Sequence, residues 1–255
     1  MAAGSLPPLA LAYHGVADVP LRQDPHGLFV RPQDLRRQIA KLRSWGYRLV
    51  SFGELARLAS ASEAAGNAAL TFDDGLVDNA ETLAPLLAEE GAPATVFVVS
   101  GWLGRPHGTV PWTRIMTEIE LGELRATGVE IGAHSVSHPD LSTLSYDAAL
   151  EELAGSKKQL EDVLGESVEV AAYPYGKANA ETVRACREAG FLAACSATGR
   201  GSWADPHNLP RQDVENRGTM IGLRLKRDDR YEQLMRFAPA RAARRLSRRL
   251  TGALR

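Results

Sequence analysis

What most constrains this chain is an alternation that runs almost from end to end: short apolar runs, each followed by an amphipathic segment of helical period. The runs that read as strands are Leu9–Tyr13, Tyr47–Ser51, Ala68–Phe72, Ala94–Val99, Val129–Ala133, Val168–Tyr173, Leu192–Ser196 and Asn208–Arg211. Helices are expected between them at Pro32–Trp45, Phe52–Ser60, Asn79–Glu90, Thr113–Thr127, Ser145–Leu164 and Asn179–Ala189. Gly46, Gly91, Gly128, Gly165 and Gly190 each stand where a helix should stop, as a C-terminal glycine does. Apolar strands rich in Val, Leu and Ala imply a parallel sheet covered by helices on its outer face. So many alternations favour a distorted (β/α) barrel of seven or eight parallel strands over an open sheet. In such barrels the chemistry sits at the C-terminal ends of the strands, and every polar motif of this chain falls there.

With 255 residues and 44% hydrophobic content, the chain is long enough for one large domain with a full core. The expected division is a catalytic barrel over 1–222 and a basic helical tail over 223–255. A formal net charge of -1 makes no electrostatic case for nucleic acid. Cys186 and Cys195 form neither a CxxC pair nor a metal-ligand spacing, so they read as buried or free thiols in a reducing compartment. The opening Met1–Pro8 lacks a basic region followed by an apolar run, and no apolar stretch reaches the length of a bilayer span. The cytoplasm is the expected location. In the tail, Arg241, Arg244, Arg245, Arg248 and Arg249 share a segment with Ala242, Leu246 and Leu250. Such a face suits either a solvated terminal helix or peripheral contact with the inner, anionic membrane surface.

Four motifs carry chemistry. Leu70-Thr71-Phe72-Asp73-Asp74-Gly75 ends an apolar strand in two adjacent carboxylates. In a cleft these repel, and a cation relieves the repulsion: one carboxylate binds it and its neighbour is left as a base. The same residues would also make an ordinary Asp-Asp-Gly turn. The run Glu130–Pro139 places His134 and His138 four residues apart beyond the end of another strand, so both rings can turn to one point. Two imidazoles and one carboxylate leave a coordination position open, which is the catalytic rather than the structural pattern for zinc. Each half alone has a structural explanation; together, on neighbouring strands of one barrel, they point to a metal site made of His134, His138 and one of the two carboxylates. Tyr173-Pro174-Tyr175-Gly176 offers aromatic surface to a sugar ring and a backbone N–H to a developing oxyanion. Finally, His14 ends the first strand in Tyr13-His14-Gly15, where it can serve as a general acid.

Taken together, these residues resemble the NodB-type polysaccharide deacetylases of carbohydrate esterase family 4, over about Ala10 to Asn216. The combination of Thr71-Phe72-Asp73-Asp74-Gly75 with His134-Ser135-x-x-His138 is far more specific than either part. The resemblance implies that Asp73 is the general base and that Asp74, His134 and His138 hold one divalent ion, usually zinc, with cobalt, nickel or iron as alternatives for such a donor set. It also implies that the backbone N–H of Tyr175 helps hold the oxyanion. Two departures stand out. Where the third motif of the family begins with an arginine that orients the base, this chain has Ala172, and Arg211 is the candidate to supply that charge from elsewhere. The family's C-terminal Leu-x-His acid has no counterpart here. Tyr13-His14, Gln38-x-x-x-Leu42-x-x-x-Gly46-Tyr47 and Ser51-Phe52-x-Glu54-Leu55 resemble instead the circularly permuted branch that acts on exopolysaccharides, whose acid lies on an N-terminal Tyr-His strand.

The implied activity is hydrolysis of N-acetyl groups from amino sugars in a polysaccharide, oligosaccharide or lipid-linked glycan. Tyr173, Pro174, Tyr175 and Trp203 are the expected sugar contacts, and Trp102 and Trp112 add aromatic surface nearby. Two other functions fit the same residues. One is metal-dependent hydrolysis of a non-sugar amide, imide or ester; the other is carbohydrate binding without turnover on the same scaffold.

Overall fold

The computed structural model describes residues 6–20, 22–197, 200–214 and 220–228. In chain order the strands are β1 (Leu9–Tyr13), β2 (Gly15–Val16), β3 (Phe29–Val30), β4 (Arg48–Val50), β5 (Asn67–Phe72), β6 (Thr95–Val98), β7 (Glu130–Ala133), β8 (Val170–Ala172), β9 (Ala193–Cys195) and β10 (Gln212–Asp213). The α-helices are α1 (Pro32–Ser44), α2 (Phe52–Ser60), α3 (Ala84–Glu90), α4 (Glu118–Ala126), α5 (Tyr146–Leu164), α6 (Ala180–Glu188) and α7 (Met220–Arg227). The glycines read as helix stops, Gly46, Gly91, Gly128, Gly165 and Gly190, all have positive φ.

Eight strands form one sheet in the order β10-β1-β5-β6-β7-β8-β9, with β4 beside the first half of β5, and every pairing is parallel. The sheet curls into a distorted barrel, and residues 209–213 draw its two edges together. Leu209 bridges Cys195 in parallel, and three residues later β10 pairs with β1 through Leu11 and Ala12. Pro210 lies between and has no N–H to give, so the strand expected at Asn208–Arg211 is one bridge at Leu209, a gap, and then β10. β2 and β3, not foreseen in the sequence, make a separate two-stranded parallel ribbon.

Side-chain alternation divides the core in two. Leu9, Leu11, Tyr13, Leu70, Phe72, Val96, Val98, Ala171 and Tyr173 belong to the larger cluster, which the helices cover. Ala10, Ala69, Phe97, Val170, Ala172, Ala193, Cys195 and Leu209 pack together as the second, inner cluster. Phe97 is the largest inner side chain on the strands; its ring occupies the space a Cβ at Gly132 would need, 2.4 Å away, and meets Phe52 of α2 edge-on at 5.6 Å between centroids. These two rings help to fill the narrow lumen that the alanines leave.

Two helices depart from expectation. The helix read as starting at Thr113 starts at Glu118: Thr117 and Glu120 form a reciprocal capping box, and Arg114 pairs with Glu120 through both guanidinium nitrogens. Residues upstream run extended, with antiparallel bridges Pro106–Arg114 and Leu76–Ile115. The segment Asn79–Glu90 opens as a π turn over Asn79–Leu83, because Pro85 removes a donor the α-helical ladder needs there. At the C-terminal end, Leu223 of α7 is buried in the larger cluster and the Lys226 ammonium donates to the Asp213 carbonyl. No helix among the described residues is long and apolar enough to cross a membrane. Arg241, Arg244, Arg245, Arg248 and Arg249 lie outside the described residues.

Candidate active site

A cavity of about 430 Å³ opens where the strands end, and His14, Asp73, Asp74, His134, His138, Tyr175 and Arg211 all line it. Strand period brings them there. Ala69 and Asp73 both lie an even number of residues from Thr71 on β5, so the Asp73 side chain continues the inner face while Phe72 turns to the helices. Its backbone N–H donates to the Tyr13 carbonyl at 2.9 Å, extending the β1–β5 ladder to the rim.

Inside the barrel, Arg211 meets Asp73 through two parallel bonds, Nη1 to Oδ1 at 2.6 Å and Nη2 to Oδ2 at 2.8 Å. Arg211 also donates to Thr71 Oγ1 and to the Ser196 carbonyl, both at 3.0 Å, so its fork is fixed from three sides. Burial pushes the Asp73 carboxyl up, but the Arg211 guanidinium, then His134, outweigh it and hold the group below the usual carboxylate range.

Asp74 turns the other way. Its φ of 73° reverses the chain after Asp73, and Gly75 follows with φ 78°, where a Cβ would press on Val98 at 3.0 Å. Asp74 Oδ1 is buried with no hydrogen-bond partner. It stands 3.5 Å from His138 Nε2 and 3.7 Å from His134 Nε2. Tetrahedral zinc with bonds of about 2.0–2.2 Å sets its donor atoms about 3.3–3.5 Å apart, so this orphaned oxygen and two imidazoles fit a divalent ion with little adjustment. His134 Nδ1 donates to the Ala172 carbonyl at 2.8 Å, which leaves the Nε2 lone pair facing the site. Burial, then His134, pushes His138 down to about 4, so its ring is neutral at physiological pH. Burial pushes Asp74 up, and a hydrogen bond from His107 with the nearby histidines pulls it further down.

The histidine loop is held from outside. Glu152 on α5 accepts from the backbone N–H groups of Val136 and Ser137, each at 2.9 Å, and Ser135 Oγ accepts from His138 N at 3.0 Å. Gly101 donates to the Val136 carbonyl, and a Cβ there would sit 2.5 Å from that oxygen. Of five described non-glycine residues with positive φ, four belong to this site: Asp74, Ser135, His138 and Tyr175. Backbone strain concentrated in this way marks segments that the surrounding packing forces into place.

Three expected sugar contacts are corrected. Tyr173 is fully buried, its hydroxyl donating to the His207 carbonyl at 2.6 Å. The alternation that turns Ala172 inward turns Tyr173 outward under the helices. Pro174 is buried, and Trp203 packs on the inner cluster; neither lines the cavity. Tyr175 does line it, 60% exposed, its ring 4.7 Å from that of His138. Trp102 stands on the same wall, 5.4 Å from His138, whereas Trp112 lies against Phe29 in a separate groove. One residue was missed by sequence reasoning: His107, whose Nε2 lies 3.2 Å from Asp74 Oδ2. It stands alone in a polar loop 33 positions from Asp74, with no spacing to signal it.

Comparison with known proteins gives the family and the fold. The sequence model of the polysaccharide deacetylases matches residues 61–194. YxkH of Bacillus subtilis (strain 168), itself ascribed to the polysaccharide deacetylases, is 30% identical over 122 residues, 48% of this chain and 41% of YxkH. A chitin deacetylase of a Pestalotiopsis species is 29% identical over 156 residues, 61% of this chain and 46% of that protein. The matches thus span less than half the length of these curated relatives. The structure of the Streptococcus pyogenes deacetylase PplD in complex with acetate superimposes with a TM-score of 0.75 at 26% identity, over 87% of this chain and 98% of that one. The matched model covers the strand-end carboxylates and both histidines, and the chain belongs to the polysaccharide deacetylase family.

Proposed function

We propose that this chain is a metal-dependent N-deacetylase that releases acetate from the N-acetylated amino sugars of a glycan. The observation that carries the reading is the division of labour between adjacent carboxylates. Asp73 is locked on a buried arginine, while Asp74 offers an unpaired oxygen to two imidazoles across the same cavity. A divalent ion held by Asp74, His134 and His138, zinc being the first candidate, would polarise the acetyl carbonyl and acidify water.

The chain's own groups do the rest. Asp73, kept ionised by Arg211, takes the proton from the attacking water. Arg211 fixes both carboxylate oxygens, so the base cannot swing away from the lumen. The backbone N–H of Tyr175, on a turn held at φ 57°, donates to the oxygen that becomes negative. His14 lines the same cavity and gives a proton to the departing amine, without which an amide nitrogen leaves poorly. The exposed faces of Tyr175 and Trp102 suit the apolar face of a pyranose ring. Support for acetate as product comes from the PplD structure, which contains acetate.

Acetate release from N-acetylglucosamine oligomers tests this, with wild type, Asp73→Asn and His14→Ala, each with and without zinc or cobalt. Metal-dependent release that collapses in both variants is the expected result. Full release by Asp73→Asn, or release indifferent to chelator, would refute it.

A further inference from the structure

We propose that His107 is a positioning residue for the metal ligand Asp74: its Nε2–H engages Oδ2 and so presents Oδ1 as the single coordinating oxygen. The inference rests on the metal reading above and adds a residue to it.

The tautomer follows from hydrogen bonds on the far side of the ring. His107 Nδ1 accepts from the backbone N–H of Val110 at 3.1 Å and of Thr109 at 3.3 Å, so it carries no proton. The ring's hydrogen is then on Nε2, which faces Asp74 Oδ2 at 3.2 Å. The same carboxylate's Oδ1 is the buried atom without a partner that faces His134 and His138. The two oxygens therefore have different jobs. With Oδ2 occupied, Asp74 neither binds an ion through both oxygens nor rotates toward Asp73, and three donor atoms leave a position open for water and substrate.

The loop that carries His107 is fastened to the same strand end. Met116 N donates to the Gly75 carbonyl at 2.9 Å, one residue from Asp74, and Leu76 bridges Ile115. His107 N donates to the Thr113 carbonyl at 3.0 Å, and the ring meets Trp102 edge-on at 5.9 Å. Every contact aims the imidazole at one oxygen. A residue that merely filled space would not need its two nitrogens assigned in this way.

Two substitutions separate the two nitrogens. In His107→Asn the side-chain oxygen can replace Nδ1 as acceptor for the loop, but no donor reaches Asp74. In His107→Gln the longer amide can still donate to Oδ2. Zinc and cobalt are titrated calorimetrically into the full chain after chelator treatment, and the visible spectrum of the cobalt form reports coordination number. Thermal unfolding of the chelator-treated variants reports the fold. The expected result is an affinity loss of about 10–100-fold in His107→Asn with a changed cobalt spectrum, and near wild-type behaviour in His107→Gln. Wild-type affinity and spectrum in His107→Asn would overturn the proposal. So would an equal loss in both variants, which would place the effect in ring packing. A wild type that binds neither ion would overturn the metal reading first and this role with it.

Discussion

Replacing Arg211 by Met tests the link between the barrel's closure and its chemistry. The Arg211–Asp73 pair is buried, with side-chain exposures of 1% and 8%, and both oxygens of the carboxylate depend on it. Methionine fills much of the volume but leaves a buried carboxylate unpaired, and breaking such a pair costs about 3–5 kcal/mol. Domains of this kind are stable by only about 5–15 kcal/mol, so the loss is a large share of the total. Urea denaturation, followed by the fluorescence of four tryptophans in the presence of chelator, measures it. The pH dependence carries the argument further. In the wild type the Asp73 carboxyl is held low, so its contribution to stability is present above the ordinary carboxylate range and lost as pH falls. In Arg211→Met burial, the largest influence, pushes the group up, and only His134 and His14 still oppose it. The deficit of the variant should therefore be largest at neutral pH and shrink toward acid, where protonation removes the unpaired charge. Turnover should fall, with its acid limb moved to higher pH. Adding Asp73→Asn to Arg211→Met should recover most of the lost stability. A single variant within about 1 kcal/mol of wild type at neutral pH, or a double variant no more stable than the single one, would refute the reasoning.

Two further changes probe the rim. Asp78 holds the Val16 N–H beside His14, and burial pushes its carboxyl from 3.8 up to about 6, which is worth about 3 kcal/mol. Because the folded state holds this proton more tightly, wild-type stability should fall as pH rises from about 4 through 6; Asp78→Asn should flatten that slope in denaturation series, and an unchanged slope would remove Asp78 as its source. In Gly176→Ala a Cβ would stand 1.9 Å from the Ala197 Cβ, at φ 59°, so the turn that holds Tyr175 must move. A loss of about 2–5 kcal/mol, with reduced acetate release, is expected from the left-handed conformation and the overpacking together, and a variant equal to wild type in both would contradict this account of the turn.

Much of the architecture was legible because parallel strands buried on both faces leave a plain apolar trace. β1 and α2 begin and end where the apolar pattern does, and β5 to β9 differ from the expected runs by a residue or two at their ends. The misplacements have local causes: Pro210 interrupts the last strand, and the Thr117–Glu120 capping box starts α4 later than its amphipathic pattern suggests. Tyr173 was misread although strand period alone separates it from Ala172; the Tyr-Pro-Tyr turn drew attention to its aromatic character rather than its parity.

Asp73-Asp74 and His134-x-x-x-His138 are visible in the sequence because neighbours in the chain share a strand end, and short spacing survives folding as proximity. Arg211 and His107 are different. Arg211 reaches Asp73 across 138 positions and His107 reaches Asp74 across 33, and nothing in either local sequence predicts the distance between them. Those contacts exist because residues 209–213 join β9 to β1 and because the 105–115 loop folds back on Gly75. The sequence by itself determined the barrel and the residues available at its mouth, through periodicities set by backbone geometry. Arg211 was already a candidate in the sequence, but its pairing with Asp73, and which oxygen of Asp74 is left unpaired, only the tertiary structure decided, because both depend on loop closures between distant segments.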